Sequence, residues 1–151
     1  MAGWMTLRVE LVSGRGSDFD PGPGRVFLVG PDHTFGELAD AINLHFARWD
    51  LSHLHNFMLA DGREIGFTDP DSPNTLDQER IQVASTLVKG DEFEFIFDFG
   101  DYWGHQCRVE EVGVDPEDLY GESPELPVPI WGWGSIPDQY GRRSENDTGE
   151  D

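Results

Sequence analysis

Five side chains of the types that bind divalent metal ions fall within two short stretches of this sequence. Imidazole nitrogens and carboxylate oxygens are ligands that zinc and manganese accept. A metal held by such groups could activate water to hydrolyse a phosphoester or an amide bond. The candidate ligands are His53, His55, Asp98, Asp101 and His105, and Trp103 lies between the last two. A divalent metal is therefore the candidate cofactor of this site.

The same residues also have a purely structural interpretation. Asp98 and Asp101 are residue types that accept backbone N–H bonds in turns, and His105 would donate to one of them. Strand alternation places His53 and His55 on one face and Asp98 opposite the neighbouring phenylalanines. The five groups therefore meet only if strand pairing brings their polar faces together, and both interpretations stay open at this point.

Alternating sequence patterns predict the strands that would position this site. Residues 6–12 alternate apolar and charged side chains, and residues 25–29 form a short β-prone run that ends before Gly30 and Pro31. Four phenylalanines recur at every second position between residues 91 and 99, and we expect them to share one core face. A glycine-bracketed turn over residues 100–104 would lead into a returning strand.

One helix is predicted between these groups of strands. Thr34 and Glu37 have the spacing of a capping box, in which each side chain caps a free N–H of the other residue. Apolar residues then follow at helical intervals, at positions 35, 38, 42, 46 and 49. The pattern as a whole predicts an α+β fold: a mixed or antiparallel sheet of about five strands packed on one main helix. Its order, ββαββ followed by a further strand or two, is similar to a β-grasp arrangement.

The composition changes after the last predicted strand. We expect an α+β domain over residues 1–118 and a C-terminal extension over residues 119–142. The extension contains a Trp-Gly-Trp-Gly segment at 131–134, and we expect this segment to pack back onto the domain because two exposed tryptophans are costly. Residues 143–151 are expected to form a disordered acidic tail.

Net charge and the cysteine count exclude several classes of function. The chain has 30 acidic and 10 basic residues, a formal net charge of −20, so direct contact with nucleic acid is not expected. It lacks an apolar run long enough to cross a bilayer, and we expect a soluble, cytoplasmic protein. Cys107 is the only cysteine, which excludes a multi-thiolate zinc site. The acidic surface is either an adaptation to a salty cytoplasm or a binding surface for a basic partner protein.

Two clusters of residues resemble a known family. They comprise Trp49, His53-Leu54-His55 and Phe57, then Gly90-Asp91-Glu92-Phe93 and the run from Phe97 to His105. Over about residues 6–118 the chain is similar to the plasmid pRiA4b ORF-3-like family, although Phe95 and Phe97 stand where that family usually has tyrosines. The resemblance implies a protein of unknown function, associated in some members with mobile elements.

Two functional hypotheses follow from these observations. The first is a non-enzymatic interaction module whose Trp-, His- and Asp-lined hairpin end contacts another protein. The alternative is a metal-dependent hydrolase that uses the histidine and aspartate cluster, so enzymatic activity stays an open question.

Overall fold

A large mixed β-sheet dominates the structure. The computed structural model describes residues 3–71 and 74–140, and within them the chain forms nine strands in one sheet and three short helices. The prediction of about five strands packed on one main helix in a β-grasp-like order is therefore wrong. The elements are β1 (Trp4–Gly14), β2 (Ser17–Asp18), β3 (Gly24–Val29), α1 (Phe35–His45), β4 (His55–Leu59), β5 (Glu64–Gly66), β6 (Thr75–Asp77), α2 (Val83–Thr86), β7 (Glu92–Phe97), β8 (Trp103–Val114), α3 (Pro116–Tyr120) and β9 (Val128–Trp133).

The sheet is larger than predicted because several strands carry little sequence signal. Strands β2 and β6 have two and three residues, too few to show alternation. Strand β9 contains proline and glycine, which are depleted in strands. These segments become strands because neighbouring strands supply hydrogen-bonding partners.

The strand order places the site-bearing strands in the middle of the sheet. The order is β6-β5-β4-β7-β8-β1-β3-β9, with β2 paired to β1. The pairs are antiparallel except β5 with β6. The register between β7 and β8 sets Phe95 opposite His105 and Phe97 opposite Trp103.

Three of the four alternating phenylalanines lie on the core face as predicted. Phe93, Phe95 and Phe97 are buried, but Phe99 is 50% exposed. Strand β7 ends at Phe97, and the chain turns at Asp98, whose φ is 64°. Alternation stops where the extended backbone stops, so Phe99 is not held on the core face.

Helix α1 covers the core face of the sheet and begins where the sequence predicts. The Thr34 hydroxyl accepts a hydrogen bond from the Glu37 N–H (3.1 Å), and the Glu37 carboxylate accepts one from the Thr34 N–H (2.9 Å). This confirms the capping box. Phe35 packs edge-on against Phe57 of β4, with ring centroids 5.1 Å apart. Among the described residues, no helix combines the length and the apolar character needed to cross a membrane.

The C-terminal part of the described chain joins the sheet at one edge. Strand β9 pairs with β3, so that Trp131 lies opposite Val26 and Trp133 opposite Gly24. The proposed boundary at residue 118 stays a prediction. The tail predicted for residues 143–151 lies outside the described residues.

Candidate functional site

The turn after β7 is built on Asp98. Its carboxylate oxygen Oδ1 accepts hydrogen bonds from the N–H groups of Gly100 (3.0 Å) and Asp101 (3.3 Å). Aspartate tolerates the positive φ found here because its short side chain bonds to the local backbone. Asp98 therefore shapes the turn, as the structural interpretation of this residue expects.

Three further residues are linked to Asp98 through polar contacts at the same end of the sheet, which we call the rim. His53 precedes β4, and its Nδ1 lies 3.5 Å from Asp98 Oδ2. The other ring nitrogen, Nε2, lies 2.7 Å from the hydroxyl of Tyr140, which donates to Asp50 Oδ2 at 2.7 Å. We call Asp50, His53, Asp98 and Tyr140 the rim network.

Two members of the rim network, Asp50 and Tyr140, have pKa values far from neutrality. Hydrogen bonds from Ser52 and Tyr140 lower the pKa of Asp50 to about 2. The hydrogen bond to Asp50 in turn raises the pKa of Tyr140 to about 12. A general acid or base works best with a pKa near the operating pH, and these two groups are shifted away from it. Asp50 and Tyr140 therefore suit positioning better than proton transfer.

His55 lies in the core rather than at the rim. It is the first residue of β4, lies opposite Phe97 and is buried on the phenylalanine face. Its Nε2 is 2.8 Å from the side-chain oxygen of Gln78, and burial lowers the pKa of the imidazole. The two histidines have different ring neighbours and polar partners: the ring of His53 lies 5.9 Å from that of Phe97, and the ring of His55 lies 5.3 Å from that of Phe95.

His105 is also in the core, beside α1 and not beside Asp98. The register sets it opposite Phe95, and its Nδ1 lies 3.0 Å from the Phe95 carbonyl oxygen. A carbonyl oxygen can only accept, so Nδ1 carries the proton. Burial lowers the pKa of His105 to about 3, and the nearby Arg48 guanidinium adds to this shift.

The five predicted metal ligands therefore do not meet. The structure brings His53 and Asp98 together, and places His55 and His105 elsewhere. Asp101 contacts Arg15 instead, with 3.7 Å between Oδ2 and Nε. Over residues 3–71 and 74–140 there is no group of three or more His, Cys, Asp or Glu side chains placed to hold a metal ion.

Trp103 belongs to the core beneath the rim. Its ring is buried and stacks nearly parallel to that of Phe19, with centroids 6.4 Å apart. The guanidinium of Arg48 lies over the same ring, 4.0 Å from its centroid. Trp103 therefore packs in the core next to the rim, and its side chain is not exposed to solvent.

Residues 136–140 form a C-terminal strap across the rim. Arg48, itself buried, donates from Nη2 to the Pro137 carbonyl (2.6 Å) and from Nε to the Phe46 carbonyl (2.7 Å). The side-chain amide of Gln139 pairs with both the N–H and the carbonyl of Asp50, each at 2.9 Å. These contacts hold the strap against the loop that follows α1.

Sequence reasoning missed the strap and its partners. Tyr140 and Asp50 are ninety positions apart, and nothing in their local sequence links them. One signal was available: the polar residues 138–140 directly follow residues 126–137, a run without charge in a highly charged chain. A polar segment after such a run is a candidate for docking onto polar groups elsewhere.

Exposed apolar side chains surround the rim network. Five of them, each between 47% and 61% exposed, form what we call the rim patch: Trp49, Leu51, Leu54, Phe99 and Tyr102. The ring of Trp49 lies 5.2 Å from that of Tyr140. Leu54 accepts a backbone hydrogen bond from Asp98, and Leu54 and Phe99 line one small crevice. The large apolar side chains of the rim patch are therefore exposed to solvent close to the carboxylates of Asp50 and Asp98.

Comparison with known proteins gives the fold and the family. The chain aligns with a solved structure of a Methanosarcina mazei Go1 protein of unknown function, MM3350, with a TM-score of 0.68 and 23% identity. That alignment covers 88% of this chain and 70% of the other, and at this identity it supports the fold alone.

A curated relative and a family model extend the comparison. The uncharacterized protein y4hQ of Sinorhizobium fredii (strain NBRC 101917 / NGR234) is 31% identical over 69 residues, which is 42% of this chain. The chain matches 34%, about a third, of the length of that relative. The model of the plasmid pRiA4b ORF-3-like protein family matches residues 6–137. This chain therefore belongs to the plasmid pRiA4b ORF-3-like protein family.

Proposed function

We propose that this protein is a non-enzymatic interaction module that binds a basic, apolar segment of another protein at the rim patch. The observation that carries the proposal is the rim patch itself: five large apolar side chains that are exposed on the segments around the rim network. Exposed apolar patches with a polar border are typical of protein-interaction sites. Tryptophan, tyrosine and phenylalanine are also enriched at such interfaces.

Charge favours a basic partner over a neutral or acidic one. The chain carries a formal net charge of −20, and Asp50, Asp98 and Asp101 lie at the rim. A negative field of this size attracts lysine- and arginine-rich segments and accelerates their association. Added salt should weaken the interaction, because it screens exposed charges.

The rim network supports a role in shaping this surface. Asp50 and Tyr140 are tied to each other and to the strap, with their pKa values shifted in opposite directions away from neutrality. Their hydrogen bonds fix the loop that carries Trp49 and Leu51. A surface fixed before binding loses less conformational freedom when a partner docks.

A link to mobile elements is a further part of this proposal. The plasmid in the name of the family supports it. Sequencing the genes that surround this one tests it: transposase or plasmid-maintenance genes as neighbours would support the link, and housekeeping genes would contradict it.

Fluorescence anisotropy with labelled synthetic peptides tests the binding proposal. The probe is a peptide of alternating leucine and arginine, compared with peptides of equal length that alternate leucine with glutamate or serine with arginine. We expect the leucine–arginine peptide to bind best. Leu54→Ala and Phe99→Ala should each weaken it about tenfold, as expected for an interface hot spot.

A matched variant controls for unspecific loss of apolar surface. Val88 is 66% exposed and is not part of the rim patch, so Val88→Ala should leave binding unchanged. Equal binding of all three peptides, or equal loss in Val88→Ala and Leu54→Ala, would contradict the proposal.

A further inference from the structure

A second recessed surface lies between the loop of residues 18–23 and the segment 133–137. This crevice has a volume of about 440 Å³, which is within the range of ligand-binding clefts. We propose that it binds a proline-containing, arginine-flanked segment of another protein in the extended polyproline II conformation. The proposal goes beyond the rim patch and does not depend on it, because different residues form the two surfaces.

Side-chain rings form much of the walls of the crevice. Phe19 and Trp133 contribute aromatic rings, and Pro21, Pro23 and Pro137 contribute pyrrolidine rings. Aromatic-lined grooves recognise proline-rich segments, whose polyproline II backbone is extended before binding and lacks internal hydrogen bonds. Ligand and crevice are then both stiff and apolar, so docking orders few rotatable bonds.

Specific contacts hold the two walls together. Trp133 donates from Nε1 to the Gly22 carbonyl at 2.8 Å, and Arg25 donates from Nη1 to the Trp133 carbonyl at 2.9 Å. Gly134, with φ 76°, lies so close to Pro23 that an added Cβ would come within 2.9 Å of the proline Cα. The crevice is therefore formed before a ligand enters.

Two carboxylates at the mouth of the crevice favour a positively charged group on the ligand. Asp18 and Asp20 line the crevice and are exposed. Among the residues that the structure describes, neither has an arginine or lysine nitrogen within 4.0 Å. An arginine that flanks the proline segment can pair with them, since guanidinium and carboxylate groups match in geometry.

The ring of Trp133 already has a cation beside it. The guanidinium of Arg8 lies over this ring, 4.2 Å from its centroid. The ring also packs against Gly24, where an added Cβ would overlap it. Asp18 and Asp20, which have no such cation among the described residues, are therefore the groups that pair with the ligand arginine.

Fluorescence anisotropy on the full chain tests this inference. The probe is a labelled peptide of repeated Pro-Pro-Arg, and the comparison peptides are repeats of Pro-Pro-Glu and of Ala-Ala-Arg. We expect the first to bind at least about tenfold more tightly than either of the others, as an anchored hot-spot contact would require. Equal binding of the two arginine peptides would overturn the inference, because charge alone would then explain the affinity.

Substitutions of exposed residues test whether the Pro-Pro-Arg peptide binds in the crevice. Ser135 is exposed in the crevice wall, so Ser135→Phe should fill the crevice and abolish binding. The double variant Asp18→Asn, Asp20→Asn should weaken binding about tenfold. The matched double variant Asp32→Asn, Asp118→Asn removes the same charge from exposed sites elsewhere and should have no effect.

The outcome separates this surface from the rim patch. Leu54→Ala should leave binding of the Pro-Pro-Arg peptide unchanged, while it weakens the leucine–arginine peptide. Absence of Pro-Pro-Arg binding, or unchanged binding in both Ser135→Phe and the Asp18/Asp20 variant, would refute the crevice proposal and leave the rim proposal standing.

Discussion

Mild acid should destabilise this protein through His105. The side chain is 1% exposed, and burial lowers its pKa to about 3 from an ordinary value of 6.5. In the unfolded chain the imidazole takes up a proton near pH 6.5, so the unfolded state binds more protons below that pH. His105 therefore contributes stability that is fully present above pH 6.5. This stability is lost progressively as the pH falls towards 3.

The expected loss follows from the two pKa values. One proton of difference changes the free energy of unfolding by about 1.4 kcal/mol per pH unit. Between about pH 7.5 and about pH 5, where His105 protonates in the unfolded chain alone, the loss amounts to about 2 kcal/mol. His55, whose pKa burial also lowers, adds a loss of the same sign.

Urea unfolding followed by tryptophan fluorescence measures this loss in wild type and in His105→Phe. The phenylalanine can pack against Phe46 and Phe95, which are the ring neighbours of His105. The variant should lose about 2 kcal/mol less stability than wild type over the same pH interval. His105→Gln, which can still donate to the Phe95 carbonyl, serves as a second variant. Equal acid sensitivity in wild type and both variants would refute the reasoning.

Three other substitutions or probes test the packing and the rim. Tyr140→Phe removes the hydroxyl bonds to Asp50 and His53, and the midpoint of urea unfolding should fall. Gly14→Ala would drive a methyl group into the Trp103 ring, and should cost about 2 kcal/mol by the same measurement. Cys107 is buried with its pKa raised by burial, so the native protein should react with a thiol reagent far more slowly than the protein in urea.

Local sequence was sufficient to predict elements whose defining contacts are close along the chain. The start of α1 was predicted because Thr34 and Glu37 cap each other across three positions. The core face of β7 was predicted because extended backbone alternates Phe93, Phe95 and Phe97 without reference to other strands. Strand β9 at one edge of the sheet was missed, since its pairing partner β3 is remote in sequence.

The candidate site could be predicted only in part, because its geometry depends on pairing register and on the turn at Asp98. The sequence by itself determined that histidines and aspartates flank an aromatic strand, and it identified the family. The tertiary structure decided which of them meet. A shift of register by one residue exchanges the faces of a strand, and the observed register buries His105 beside Phe95. His53 pairs with Asp98 and Tyr140 at the rim because it lies outside β4, and Tyr140 arrives from a segment remote in sequence.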